Sequence, residues 1–222
     1  MDELKPHQRI NDILLGPLER PFLHWLAARM PTWVKPDILT GVGIIGAVLI
    51  LCAYLLSNQN HWWLWLASFG YVMNWFGDSL DGTLARYRQI ERPKYGFFVD
   101  HTVDSLNEVL IVLGLGLSPY VTFSVACLGL IGYLLMSILV YIRTYINGVF
   151  QISYGKFGPT EVRLILILLN TVMFFGGNPA VDLPLNLQTI YDLPIALIAA
   201  ILLYLYLAGS IKDAVKLAKQ EE

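Results

Sequence analysis

Long apolar stretches alternate with short clusters of charged residues along this chain. The stretches that contain no Asp, Glu, Lys or Arg are residues 38–77, 109–142, 164–181 and 193–211. A helix rises 1.5 Å per residue, so about 20 apolar residues cross a hydrocarbon layer of about 30 Å. The first two stretches are long enough for two helices each, with breaks at the polar residues 57–61 and near Pro119.

The pattern predicts an all-α integral membrane protein with six transmembrane helices. Their approximate bounds are 38–57, 62–80, 96–117, 120–148, 160–176 and 190–210. Composition agrees, because 56% of the 222 residues are hydrophobic and 14% are charged, against about 25% charged in an ordinary soluble domain. These values exclude a disordered chain, a coiled coil and a typical cytosolic enzyme. A net charge of −2 argues against a nucleic-acid partner.

The basic residues fall on one side of such a bundle. They precede the first helix, separate the second from the third and the fourth from the fifth, and follow the sixth, which accounts for all 15 Lys and Arg. Because cytoplasmic loops are enriched in Lys and Arg, both termini of this multi-pass protein are predicted on the cytoplasmic side. We divide the chain into an interfacial segment 1–36, a transmembrane domain 37–211 and a cytoplasmic tail 212–222.

Residues ahead of the first span show helical periodicity of their own. Leu18, Phe22, Leu26 and Met30 recur every four residues, and Pro31 ends the pattern. The pattern predicts an amphipathic helix that lies along the cytoplasmic interface, with a small soluble cap on the bundle as the alternative. The first five residues are polar, so no cleavable signal peptide is expected.

Four aspartates lie at or inside the second and third predicted spans, where charge is unfavourable. They are Asp78, Asp81, Asp100 and Asp104. A charged side chain at mid-bilayer costs roughly 2.5–3.5 kcal/mol on insertion scales. The first two are three residues apart and the last two are four apart, so each pair shares a helix face. Two such faces brought together predict a pocket with room for two metal ions, since hard divalent cations prefer carboxylate oxygens.

Other residues near these acids suggest what the pocket could do. Arg86 is the nearest cation, and Gly82 and Gly96 allow a ligand to approach closely. Two metals beside an arginine suit phosphate chemistry, in which a carboxylate can take the proton from an attacking hydroxyl. Two alternatives stay open: a cation-coupled carrier, and a purely structural pairing of the acids with loop arginines.

The residues together resemble a known family. The motif of the CDP-alcohol phosphotransferases closely resembles two runs in this chain, D-x-x-D-G-x-x-A-R at 78–86 and G-x-x-x-D-x-x-x-D at 96–104. Segment 36–40 also resembles the family's entry into its first helix. One departure is that nine residues separate Arg86 from Gly96 where eight is common, and the additional residue falls in the Arg92–Pro93 loop.

The resemblance implies a reaction in which a CDP-linked alcohol passes its substituted phosphate to a second alcohol and CMP is released. It implies Asp78, Asp81 and Asp100 as ligands of Mg²⁺ or Mn²⁺, with two ions expected. It implies Asp104 as the general base and as a ligand of the second metal. The residues implied to face the CDP moiety are Gly82, Ala85, Arg86, Gly96, Asp37 and Thr40. Family members are commonly homodimers, so a second copy is an expected partner beside the membrane and the lipid substrate.

Most compact family members that resemble this chain take CDP-diacylglycerol and a small polar alcohol, so the resemblance implies CDP-diacylglycerol as the donor here. Those with a phosphorylated acceptor place basic residues near the cytoplasmic ends of the later helices, where this chain has Arg143, Lys156 and Arg163. Several cationic donors suit a dianionic phosphate. Contact of these residues with anionic lipid is the alternative.

Two further segments resemble the choline and ethanolamine phosphotransferases instead, which use a CDP-aminoalcohol and diacylglycerol. They are residues 100–105 and 158–161. In that branch Glu161 could face an ammonium group. His101 is expected to hydrogen-bond beside the site rather than to act as a catalyst.

Overall fold

The computed structural model describes residues 8–10, 14–147, 149–151, 158–183 and 187–221. This part of the chain forms seven α-helices: α1 (Gly16–Arg29), α2 (Pro36–Leu56), α3 (Trp63–Tyr87), α4 (Pro93–Gly116), α5 (Phe123–Asn147), α6 (Pro159–Gly176) and α7 (Asp192–Glu221). Two short strand pairs accompany them. β1 (Gln8–Ile10) pairs in parallel with β2 (Val149–Gln151), and β3 (Ala180–Leu183) pairs antiparallel with β4 (Leu187–Thr189).

Proline marks the start of several helices. Pro36, Pro93 and Pro159 are the first residues of α2, α4 and α6. The fixed φ of proline suits the first helical turn, where its missing N–H removes no hydrogen bond. At the other end of α6, Gly177 has φ +68° and ψ −155°, a positive-φ conformation that glycine adopts readily because it has no Cβ atom.

Each of the six predicted spans has a helix as its counterpart, α2 to α7. Two helices are longer than the charge pattern predicted: α3 continues to Tyr87 rather than 80, and α7 continues to Glu221 rather than 210. The reason is that charged residues end an apolar stretch but not a helix. The end of α7 is rich in Ala, Leu and Lys, which favour helix in water as well.

Four helices are long and apolar enough to cross a membrane. These segments are Pro36–Leu56, Phe123–Ile146, Pro159–Gly176 and Asp192–Gln220. The helices α3 and α4, which carry the four aspartates, are not in this set. A helix is present at 16–29, whereas its position along a membrane interface, like the six-span topology, stays a prediction.

Glycines hold α2 and α3 in close contact. A Cβ atom added to Gly77 would overlap the backbone of α2 at Gly43 and Leu39, and one added to Gly46 would lie 2.6 Å from the backbone nitrogen of Asn74. Small residues let two membrane helices approach closely. Asn74 then donates a hydrogen bond of 2.9 Å to the carbonyl oxygen of Gly43. Helix α2 also packs on α4, α4 on α5, α5 on α7 and α3 on α6.

Helix α1 is attached to the bundle by polar contacts. Glu19 accepts hydrogen bonds from the Trp75 indole at 2.6 Å, from the Thr160 hydroxyl at 2.8 Å and from the Ser79 hydroxyl at 3.2 Å. Beyond the end of α1, Arg88 donates to the carbonyl oxygens of Met30, Pro31 and Val34. These contacts hold α1 against α3 and against the start of α6.

Candidate active site

The four aspartates meet where α3 ends and α4 begins. Helix α3 contributes Asp78 and Asp81, and α4 contributes Asp100 and Asp104. Carboxylate oxygens of Asp78, Asp100 and Asp104 all lie within 4.8 Å of one another. The opposed helix faces predicted from the spacing are therefore present, and three of the four acids form one cluster.

Asp81 lies on the α2 side of this cluster. Its carboxylate accepts a hydrogen bond of 2.6 Å from the hydroxyl of Thr40 and another from the backbone N–H of Gly82. A small, partly open cavity of about 10 Å³ lies beside it. Its lining residues are Thr40, Gly43, Asp78, Asp81, Asp100, Val103 and Asn107. Thr40, which the resemblance implied to be a CDP contact, thus also orients an acid of the cluster.

Arg163 supplies a cation that the spacing of the acids did not reveal. Its guanidinium donates to Asp78 at 2.7 Å and to the side-chain oxygen of Asn74 at 2.8 Å. The side chains of Arg163 and Asp78 are only 12% and 19% exposed. A buried charge needs a partner, and this pair gives Asp78 one from α6.

A wide cleft opens from the cluster toward the end of the bundle where α2 and α6 begin. Every residue that the resemblance implied to face CDP lines it: Asp37, Thr40, Gly82, Ala85, Arg86 and Gly96. A Cβ atom added to Gly96 would meet nothing within 4 Å, so the backbone here is open to a ligand. Asp37 forms an ion pair with Arg92, which lies in the same cleft.

The cleft continues past Asp104 into a part that the motif does not cover. Glu108, one helical turn beyond Asp104, hydrogen-bonds with Tyr133, and both line the cleft. The second carboxylate oxygen of Glu108 is buried and accepts no hydrogen bond from any described residue. Glu108 was not predicted as a site residue, although its spacing of four residues from Asp104 places it on the same helix face.

His101 lies next to the cluster. Its Nδ1 is 3.4 Å from a carboxylate oxygen of Asp100, and its ring packs against Phe97 and Tyr141. His101 therefore lies beside the site, and the hydrogen bond predicted for it stays a prediction.

Two of the four residues predicted for an acceptor or headgroup, Arg143 and Glu161, are not among the residues that line the cleft. Arg143 pairs with Asp213 between α5 and α7. Glu161 is buried, and its two carboxylate oxygens accept from the backbone N–H of Leu15 at 2.8 Å and of Gly158 at 2.9 Å. Glu161 therefore caps α6 and ties it to the start of α1. Lys156 lies outside the described residues.

The residues present suit a divalent cation. Carboxylate oxygens are the ligands preferred by Mg²⁺ and Mn²⁺, and Asp78, Asp100 and Asp104 offer oxygens close enough to share one ion. Three carboxylates meet a single arginine at this cluster within the described part of the chain, so they leave negative charge for a cation to offset.

Comparison with known proteins gives relatives that share most of this chain. Cholinephosphotransferase 1 of Gallus gallus is 29% identical over 190 residues, covering 78% of this chain and 53% of the relative. Cholinephosphotransferase 1 of Homo sapiens is 26% identical over 176 residues, covering 74% and 42%. Phosphatidylinositol phosphate synthase of Cutibacterium acnes is 37% identical over 84 residues, covering 38% of each chain. The chain thus spans about half or less of the length of these relatives.

A family model described as CDP-alcohol phosphatidyltransferase matches residues 33–211, which include all four aspartates and the part of the cleft that α2 to α6 line. The match extends far beyond the 27 positions of the motif and covers well over half of the chain. The chain belongs to the CDP-alcohol phosphatidyltransferase family.

Proposed function

We propose that this protein transfers a substituted phosphate from a CDP-linked alcohol to the hydroxyl of a second alcohol and releases CMP. The observation that carries the proposal is the cluster of Asp78, Asp100 and Asp104 at the base of an open cleft. Metal ions bound there would offset the charge of the diphosphate and stabilise the leaving phosphate oxygen of CMP.

The residues around the cluster have separate roles in this proposal. Asp104 takes the proton from the acceptor hydroxyl, which then attacks the phosphorus atom next to the donor alcohol. Asp78, Asp81 and Asp100 hold the ions. Arg86, on the last turn of α3, binds the diphosphate, because a guanidinium matches two phosphate oxygens at once.

We further propose that all six helices from α2 to α7 span the membrane, with the cleft and both termini on the cytoplasmic side. The aspartates of α3 and α4 would then lie near the water-facing mouth, where an ion pair and metal ions reduce the cost of their charge. CDP enters from water and the acyl chains of the lipid substrate enter sideways from the bilayer. A homodimer stays an expectation from the family resemblance.

The choice of substrates is the finer part of the proposal. Of the three basic residues predicted to bind a phosphorylated acceptor, Arg143 and Arg163 are each engaged with a carboxylate. Relatives named cholinephosphotransferase match 70% or more of the chain, whereas the phosphatidylinositol phosphate synthase matches 38%. Both observations favour a CDP-aminoalcohol donor with diacylglycerol as acceptor over CDP-diacylglycerol with a small polar alcohol.

Glu108 also favours a CDP-aminoalcohol as the donor. An ammonium group needs an anionic partner, and Glu161, the acid expected from sequence, is occupied as a helix cap. Glu108 has one unpartnered carboxylate oxygen among the described residues and lies in the cleft beside Tyr133 and Tyr141. A carboxylate beside aromatic rings is a setting suited to a cationic headgroup.

The test is CMP release by purified protein with Mg²⁺. One set of reactions offers CDP-choline or CDP-ethanolamine with diacylglycerol, and the other offers CDP-diacylglycerol with glycerol phosphate, inositol, inositol phosphate or serine. We expect CMP in the first set. CMP only in the second would assign a phosphatidyltransferase and contradict the aminoalcohol proposal.

The same assay tests Glu108 in a second step. Glu108→Gln should raise the KM for CDP-choline about tenfold or more while leaving binding of CMP itself within a factor of two, because CMP has no ammonium group. An unchanged KM for CDP-choline would remove Glu108 from the headgroup site.

A cation-coupled carrier is the alternative from a different class. It predicts solute or cation flux into sealed vesicles without CMP release, whereas the enzyme predicts CMP release in detergent with no gradient. Absence of CMP from every donor and acceptor pair, with metal and lipid shown to be intact, would contradict the proposed transfer and favour the carrier.

A further inference from the structure

Asn107 on α4 has an oxygen atom with no partner. Its side chain is only 3% exposed, and its side-chain carbonyl oxygen accepts no hydrogen bond from any described residue. Leaving a buried acceptor unsatisfied costs roughly 1–3 kcal/mol, and native structures contain few such groups. A buried amide of this kind therefore needs a reason.

The position of Asn107 suggests why its side-chain oxygen accepts no hydrogen bond from a described residue. It lies seven residues after Asp100, two helical turns along the same face of α4. It lines the small cavity of about 10 Å³ together with Asp78, Asp81 and Asp100. A volume of this size holds about one water molecule or one small ion.

The other polar side chains around this cavity cannot donate a hydrogen bond to the Asn107 oxygen. Three are ionisable carboxylates, which act as acceptors when charged. The fourth is Thr40, whose hydroxyl proton is already donated to Asp81. The cavity is thus surrounded by oxygen acceptors, a composition that favours a cation.

We propose that the side-chain oxygen of Asn107 is a neutral ligand of a divalent cation held on the Asp81 side of the site. The cluster of Asp78, Asp100 and Asp104 marks one cation position. The cavity beside Asp81 and Asn107 marks a second, and Asp78 and Asp100 belong to both.

A neutral ligand is the appropriate one at this place. Three carboxylates already bring more negative charge than one divalent ion can offset, and a fourth would add repulsion in a partly buried site. An amide oxygen completes the ligand set without further charge. The inference rests on the metal requirement of the proposed function, but it concerns binding of the ion and can be measured without any transfer.

The test is direct binding of Mn²⁺ to the purified protein, followed by the electron paramagnetic resonance signal of free Mn²⁺. Asn107→Leu keeps the branched shape of the side chain and removes the oxygen, so the weaker of two Mn²⁺ sites should lose affinity about tenfold, a size typical when a supporting group of a metal site is removed. The matched control is Thr102→Val on the same helix, because Thr102 is exposed and its hydroxyl contacts only backbone oxygens of α4. Equal Mn²⁺ affinity in Asn107→Leu and in the control would overturn the proposal.

A second variant keeps the test decisive if Asn107→Leu does not fold. Asn107→Asp retains an oxygen at the same position. Its added charge attracts the cation, so Mn²⁺ should bind at least as tightly as in the unaltered protein, while repulsion from the three aspartates should lower the stability of the metal-free protein. A tenfold loss in Asn107→Asp would contradict an oxygen ligand at this position. Unaltered protein that binds Mn²⁺ but releases no CMP would contradict the proposed transfer alone and leave the role of Asn107 to be decided by the variants.

Discussion

The guanidinium of Arg163 donates a hydrogen bond of 2.7 Å to the carboxylate of Asp78, although 85 residues separate them in sequence. The contact joins α6 to α3 directly beside the acidic cluster. A second ion pair, Arg92 with Asp37, joins the start of α4 to the start of α2 but is about half exposed, with side-chain exposures of 53% and 48%. The two pairs have similar chemistry and very different surroundings.

We expect these two pairs to differ in their contribution to stability. Arg163→Gln leaves Asp78 as an uncompensated charge in a mostly buried site, which should lower the free energy of unfolding by about 3–5 kcal/mol. Arg92→Gln breaks an exposed pair and should cost about 1 kcal/mol or less. Thermal unfolding of both variants in detergent checks the comparison. Equal shifts in Tm would show that the buried pair is no more important than the exposed one.

Asp104→Asn should abolish CMP release while Mn²⁺-dependent binding of the nucleotide is largely kept. The amide cannot take a proton from the acceptor hydroxyl, whereas Asp78, Asp81 and Asp100 remain to hold metal. Calorimetric titration with the CDP-alcohol, with and without Mn²⁺, measures binding apart from turnover.

Asp78→Asn is the comparison for Asp104→Asn, because it should weaken nucleotide binding itself. Turnover of Asp104→Asn near that of the unaltered protein would show that another group is the base. Unchanged Mn²⁺-dependent binding in Asp78→Asn would show that Asp78 is not a metal ligand.

Gly77→Ala should prevent the close contact of α2 and α3. The added methyl group overlaps the backbone of α2 at Gly43 and Leu39, which cannot move aside like the end of a side chain. We expect a loss of several kcal/mol in stability, or no folded protein. Gly41→Ala, in the same helix pair, is the control because a Cβ at Gly41 meets nothing within 4 Å. A folded Gly77→Ala protein with an unchanged Tm would mean that the helices are further apart than described.

Glu19→Ala should loosen α1. The substitution removes the acceptor for Trp75, Ser79 and Thr160. An unsatisfied buried donor costs roughly 1–3 kcal/mol, and these donors are partly buried, so the cost of each should lie at or below the low end of that range. Amide hydrogen exchange along α1 should accelerate about tenfold or more, while exchange in α2 and α3 stays as it was. Glu91→Ala, an exposed acid in the loop before α4, serves as the control. Identical exchange of α1 in both variants would show that Glu19 does not anchor it.

Local spacing in the sequence was enough to predict much of the site. The intervals between Asp78 and Asp81 and between Asp100 and Asp104 predicted the faces that the acids occupy, because helical geometry relates residues three and four apart. The same geometry would have placed Asn107 beside them. Arg163 was predicted instead to bind the acceptor alcohol, because no local pattern in the sequence relates it to Asp78 on another helix.

Glu161 was predicted to face a substrate group, whereas in the structure it caps α6. Its position three residues after Gly158 and just inside a proline start is a capping pattern that the sequence contained, but the resemblance to a family segment suggested a substrate role. The charge-free stretches predicted the number of long helices and underestimated the length of α3 and α7, because they report where charge is absent rather than where a helix ends. The strand pairs were not predicted, since segments of three or four residues have too little periodicity to detect.

The facing glycines of α2 and α3 have a consequence for how substrate preference could change in this family. Because Gly43, Gly46 and Gly77 set the separation of the two helices through backbone contact, the spacing between Thr40 and Asp81 does not depend on the side chains that line the rest of the cleft. Residues of the cleft such as Glu108 and Tyr133 can therefore be exchanged without changing how Asp81 is held against α2. Under the proposed function, a change of alcohol substrate would then leave this part of the metal site in place.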